Sequence, residues 1–173
     1  GHDDYDGDAD GTPDDCDVDH ELHAGANLIS FYALPENTAV SSVFADLGDN
    51  ALGVIGESVV SAIIDGEWVG SLTDVTNEGG YWLKVQDDDV LETQGLPTGS
   101  VDYSISTGNN LSSYSYAISQ TLSEALPVSA ENALYGVAGE GIAALNLGDG
   151  SWAGSLEAFT GGSGYWFVSN ADF

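Results

Sequence analysis

The chain has 173 residues and sets 29 acidic side chains against one lysine and no arginine, a formal charge of −28 at pH 7. A surface of that sign excludes nucleic-acid phosphates and anionic membranes as partners, since both require a basic footprint. With 42% hydrophobic residues there is still enough apolar mass for a core, so the chain reads as a folded acidic protein and not as a disordered tail. Self-repulsion of this size has only Lys84 and three histidines to offset it, so stability is expected to lean on salt or bound cations.

Nine of the 19 aspartates fall between Asp3 and Asp19. Within them Asp6-Gly7-Asp8-Ala9-Asp10-Gly11-Thr12-Pro13-Asp14-Asp15-Cys16-Asp17 follows D-x-D-x-D-G with an acid at the twelfth position. Calcium takes six to eight hard oxygen ligands, and alternate aspartates on a loop turned at a glycine supply them. The expected ligands are Asp6, Asp8, Asp10, the Thr12 carbonyl, Asp14 through water, and Asp17, while Asp15, Asp17 and Asp19 continue the alternation toward a second ion. Residues 4–19 resemble the calcium repeats of thrombospondin type 3 and dockerin-like modules, and the resemblance implies calcium binding in a linker or stalk of a secreted protein. Asp17 stands where helix-loop-helix calcium sites carry a bidentate glutamate.

Cys16 is the only cysteine, which leaves no intrachain disulfide; its acidic neighbours raise the thiol pKa, and a bond to another chain is the open alternative. His20-Glu21-Leu22-His23 spaces its histidines three apart, not the four of the zinc helix motif, so surface histidines are the favoured reading. A chain with no methionine, no apolar leader and no apolar run of 18 residues is expected to be a processed, exported protein without a membrane span. Its expected place is extracellular or on the cell surface, in a bacterium or archaeon.

From Leu28 onward the chain repeats itself. Asn27-Leu28-Ile29-Ser30 returns as Asn110-Leu111-Ser112-Ser113, Gly53-Val54-Ile55-Gly56-Glu57 as Gly136-Val137-Ala138-Gly139-Glu140, and Asn50-Ala51-Leu52 as Asn132-Ala133-Leu134. Trp68-Val69-Gly70-Ser71-Leu72 returns as Trp152-Ala153-Gly154-Ser155-Leu156, and Gly80-Tyr81-Trp82 as Gly164-Tyr165-Trp166. The order and the spacing are kept with one-residue slips, so the body is a duplicated unit. The division is an Asp-rich segment 1–24, unit 1 at 25–90, a connection at 91–107 overlapping the turn-rich stretch Asp87 to Tyr103, and unit 2 at 108–173.

Each unit reads as strands with one short helix. Residues 27–34 are extended, and Val40, Val43, Phe44 and Leu47 mark an amphipathic helix after Pro35, matched by Leu122, Ala125 and Leu126 before a stop at Pro127. Val54 to Ile64 reads as a strand turning at Asp65-Gly66 into Trp68 to Leu72, and Asp149-Gly150 repeats that turn. Strands at 81–86 and 165–169 close the units. The expected fold is mainly β with short helices, two pseudo-symmetric units forming one barrel or sandwich-like body, a double-psi barrel among the options.

Trp68, Trp82, Trp152 and Trp166 form a doubled aromatic set that either stacks sugar rings as an exposed platform or packs the two cores, with packing favoured. Glu57 and Glu140 occupy equivalent places and would make a glycosidase pair if a dyad joined them, although Gly-Glu before a strand is better read as turn chemistry. All three histidines lie in the first 23 residues, so no Ser-His-Asp set is visible and no enzyme is expected. Asn110-Leu111-Ser112 is a lone glycosylation sequon. The body is also similar, over residues 25–173, to repeats of large secreted proteins of environmental bacteria, which implies an extracellular structural or adhesive module. The leading expectation is a secreted subunit that self-associates through calcium into a filament, surface layer or matrix; the alternative is a carbohydrate-binding module on a calcium-stiffened linker.

Overall fold

The computed structural model describes residues 16–173. Strands β1 (Asp17–Leu22), β2 (Gly25–Ile29), β3 (Ala33–Leu34), β4 (Ala51–Gly56), β5 (Val59–Ile64), β6 (Glu67–Gly70), β7 (Tyr81–Val85), β8 (Asp89–Gln94) and β9 (Leu96–Pro97) build the first half. The second half has β10 (Gly108–Ser113), β11 (Gln120–Thr121), β12 (Leu134–Ala138), β13 (Ala143–Asn146), β14 (Trp152–Gly154), β15 (Ala158–Phe159) and β16 (Gly164–Ser169). The molecule is mainly β, as the alternating apolar patterns require.

Each unit is an antiparallel five-stranded sheet, ordered β2-β7-β4-β5-β6 in the first and β10-β16-β12-β13-β14 in the second. The match extends to irregularities: a bulge interrupts β4 against β7 between Ala51 and Gly53, and another interrupts β12 against β16 between Leu134 and Gly136. None of these sheets closes into a barrel, so the barrel expectation gives way to open sheets. Closure needs tilted strands around a filled interior, and five strands whose inner face is already covered leave two edges.

The predicted helix of unit 1 is split. α1 (Val40–Val43) ends at Phe44 and is followed by a 3-10 stretch, Ala45–Asn50, itself kinked at Gly48, where φ is +52°. Val40, Val43, Phe44 and Leu47 are nonetheless all buried, joining Phe31, Val54, Tyr81, Leu83 and Leu91 in one core. Each such side chain contributes roughly 1.5–3 kcal/mol by leaving water. In unit 2, α2 (Leu122–Ala125) opens with a capping box between Thr121 and Glu124. Pro127 does not simply stop the chain; it is the N-cap of a further helix, α3 (Val128–Ala133), while Leu126 carries the break in extended conformation. Proline forbids α geometry to the residue before it but suits a helix start.

Two sequence readings of hairpins are sharpened. The run Val54 to Ile64 is two strands, β4 and β5, joined by a tight turn at Glu57-Ser58, where Ser58 has φ +62°. Asp65-Gly66 is a two-residue turn with both φ positive, as expected, but its counterpart is longer: β13 and β14 pair from Asn146 to Trp152, with residues 147–151 between them.

The repeated motifs are each consumed in building. The Asn27 amide donates to the carbonyls of His23, Gly25 and Leu83, and Asn110 donates to those of Ser106, Gly108 and Phe167. In Trp-x-Gly-Ser-Leu, the Ser71 and Ser155 hydroxyls accept the amides of Val60 and Ala143 at 3.1 Å, and Leu72 and Leu156 enter the two cores. A Cβ on Gly70 or Gly154 would stand 2.1 or 2.2 Å from the carbonyl oxygen of Val60 or Ala143. In Gly-Tyr-Trp, the Tyr81 and Tyr165 hydroxyls accept the amides of Thr76 and Thr160 at 2.8 Å.

The units meet reciprocally along a seam. Ile29 bridges Ser163, and Ser112 bridges Gly79, which are equivalent pairs with the units exchanged. The Ser30 amide donates to the Gly162 carbonyl and the Ser113 amide to that of Glu78, both at 2.9 Å. A Cβ on Gly80 would lie 2.8 Å from the Ser112 oxygen, and one on Gly164 would lie 2.7 Å from the Ile29 oxygen. These glycines let the backbones approach across a pseudo-two-fold axis.

Candidate functional site

The calcium ligands expected at Asp6, Asp8, Asp10, Thr12, Asp14 and Asp15 lie outside the described residues. Asp17 and Asp19 lie in β1, where Val18, His20 and Leu22 point inward and Asp17, Asp19 and Glu21 point outward. β8 pairs along the whole of β1 and sets Glu92 opposite Asp19 and Gln94 opposite Asp17. The outer side of this ribbon is therefore acidic, with two like charges directly opposed, an arrangement that costs stability unless screened. Among the described residues no group of three or more metal-ligating side chains is gathered.

The two histidines part company because β1 ends between them. His20 is buried, its Nε2 donating to the Ser30 carbonyl at 2.8 Å and its ring meeting Phe31 edge-on at 5.1 Å. Burial holds its pKa below the ordinary histidine range. His23 is exposed and lies between two acceptors, the Ala24 carbonyl at 3.0 Å from Nδ1 and Glu140 Oε1 at 2.6 Å from Nε2. The Ala24 carbonyl, then Glu140, raise its pKa.

Glu57 and Glu140 do sit in equivalent turns; Glu57 reaches unit 2, and Glu140 reaches the segment that leads into unit 1. Glu57 accepts the Leu111 amide at 3.1 Å, while Glu140 takes His23. The Asn110 side chain is buried, with its amide committed to three carbonyls where a glycan would have to attach.

The four tryptophans are all half-buried but divide by face. Trp68 packs against Phe44 at 5.7 Å beside the first core, and Trp152 packs on the second. Trp82 and Trp166 stand on the outer sheet faces, opposite Leu28 and Leu111. Sequence periodicity did not single out what lies next to Trp82: Ile55, Val60, Ile64 and Val69, all 48–55% exposed on that same outer face. Leu145 extends the corresponding face of unit 2. The signal was present in the alternation of β4 to β6, where both faces carry branched residues instead of one.

Comparison of the chain with family models, with curated proteins and with solved structures finds no match.

Proposed function

We propose that the chain is a non-enzymatic structural module of an extracellular assembly, in which copies associate through apolar sheet faces and through calcium held by the Asp-rich segment. The observation that carries this reading is the outer face of Ile55, Val60, Ile64 and Val69 on a chain of charge −28. Contiguous exposed apolar surface marks association, and with no arginine and a single lysine, copies have no Arg–carboxylate pairs and at most Lys84 for salt bridges. The acidic outer side of the β1–β8 ribbon continues the Asp-rich run that precedes it, so cations bound there would also neutralise the repulsion between copies. Sedimentation of the wild type and of Val60→Glu in calcium tests the reading. Loss of association in the variant supports it, and unchanged association removes the face from the account.

A second reading is carbohydrate binding, favoured by the placement of Trp82 and Trp166 on the two outer faces. Unchanged tryptophan fluorescence across a panel of polysaccharides would eliminate it.

A further inference from the structure

The two units part company at the far edge of their sheets. On the inner face of β5, Ser61 stands between Val54 and Gly70, and Ile63 stands opposite Trp68. The corresponding pairs of unit 2 set Ala144 between Val137 and Gly154, and Asn146 opposite Trp152. Two exchanges, Ser61 for Ala144 and Ile63 for Asn146, therefore separate positions that are otherwise equivalent, and each has a structural consequence.

The Asn146 amide donates to the carbonyls of Glu131 and Leu134, which ties α3 down onto β13, and Trp152 Nε1 is sealed from solvent. Ile63 has no amide to offer. In unit 1 a cavity of about 600 Å³ lies between the 3-10 stretch, which contributes Gly48 and Asp49, and the sheet, which contributes Ser61, Ile63 and Trp68. Small-molecule sites span roughly 300–1,000 Å³. The floor differs as well: Ala144 joins the second core, whereas Ser61 brings a hydroxyl to a position only 2% exposed. Among the described residues neither that hydroxyl nor Trp68 Nε1 makes a hydrogen bond. Gly70, opposite Ser61 and two residues from Trp68, leaves the hydroxyl uncovered, because a Cβ there would stand 2.1 Å from the Val60 carbonyl oxygen. A buried hydroxyl without a partner costs stability, and a ligand that bonds it recovers that cost.

We propose that this cavity binds a neutral pyranose sugar, stacked on the half-exposed Trp68 ring with one of its hydroxyls bonded to Ser61 Oγ. Charge selects the ligand. No cationic residue lines the cavity, and Lys84 is paired with Gly53 on the opposite face of the sheet from Val54 and Leu83. Phosphates, carboxylates and sulfated sugars therefore find no counter-charge on a chain of −28. Asp49 and Glu67 also line the cavity, but both are exposed, where solvent screens them. An organic cation going deeper would leave those carboxylates for a neutral hydroxyl and lose its solvation uncompensated. A pyranose suits both depths, with an apolar ring face for the indole, a hydroxyl for Ser61 inside and further hydroxyls for the carboxylates at the mouth. This site is separate from the assembly face and from the outer platform of Trp82 and Trp166.

The test titrates maltotriose, cellotriose, xylotriose and mannotriose, each in turn, into the isotope-labelled whole chain and follows the tryptophan indole signals by nuclear magnetic resonance. At least one sugar is expected to shift the Trp68 signal saturably, with an affinity that stays the same between about 0.1 and 1 M salt because the ligand is neutral. Ser61→Ala should weaken that binding about fivefold, the loss of one hydrogen bond. The variant keeps the fold, since unit 2 carries Ala144 in the same place. No movement of the Trp68 signal up to about 10 mM of any of the sugars, well past millimolar affinity, would overturn the proposal. So would equal affinity of Ser61→Ala, or tighter binding of tetramethylammonium at Trp68, which would make the occupant an organic cation. Shifts confined to Trp82 and Trp166 would overturn it too, and would place the sugar on the outer faces instead.

Discussion

Asn27 and Asn110 each hold three backbone carbonyls and accept a backbone amide, from His23 and Ser106 respectively. Replacing either with alanine strands buried acceptors, and each change should cost about 2 kcal/mol in denaturant unfolding, with near-equal effects because the sites are equivalent. The residue types at these positions were legible as a repeat, but their role was not, since hydrogen bonds to carbonyls 56 and 57 residues away leave no trace in local spacing. The same limit applied to the histidines, both read as surface residues: strand alternation buries His20 and only His23 is exposed. His23 has a raised folded-state pKa, so its clasp on Glu140 lends stability that is complete below the unfolded value of about 6.5 and is lost as pH rises through the folded value. The melting temperatures of wild type and His23→Gln should therefore differ in mildly acidic buffer and converge in alkaline buffer. In a nuclear magnetic resonance titration, Glu140→Gln should bring the His23 midpoint down toward its ordinary range.

At the scale of elements, the strands followed from branched alternation and the first Asp-Gly turn from its chemistry, the second proving longer, and the core positions of the helical stretch were right even though α1 ends at Val43. What local pattern does not encode is the seam. Gly80 and Gly164 look like ordinary strand glycines until the opposite unit's backbone is placed 2.7–2.8 Å from where a Cβ would be. Gly80→Ala and Gly164→Ala should each destabilise by about 1–3 kcal/mol, the range for overpacking, read as a lower denaturant midpoint with an unchanged slope. Equivalent losses from the two would also show that the seam is energetically symmetric. The β1–β8 ribbon was likewise hidden, because its strands lie 72 residues apart at Asp17 and Asp89 and neither carries a repeated motif named from the sequence alone.

At the scale of the molecule, a charge of −28 opposes any meeting of copies, while the outer sheet faces present half-exposed Ile55, Val60, Ile64 and Val69 for such a meeting. The duplication was legible because order and spacing survive together; the side chains kept in both units serve mainly folding or the seam, whereas the outer-face positions differ between units, Ile55 and Val69 standing where unit 2 has Ala138 and Ala153. Left to act between molecules are the aliphatic outer face, the acidic ribbon and the sequence that leads into it. Coulombic repulsion between copies falls when divalent cations bind, whereas apolar contact alone depends on it only through screening. The most direct measurement is negative-stain electron microscopy of the protein in calcium and again after exhaustive chelation. Ordered polymers that dissolve into single particles on chelation are the predicted result; isolated particles in both conditions, or polymers unchanged by chelation, would contradict a calcium-dependent assembly.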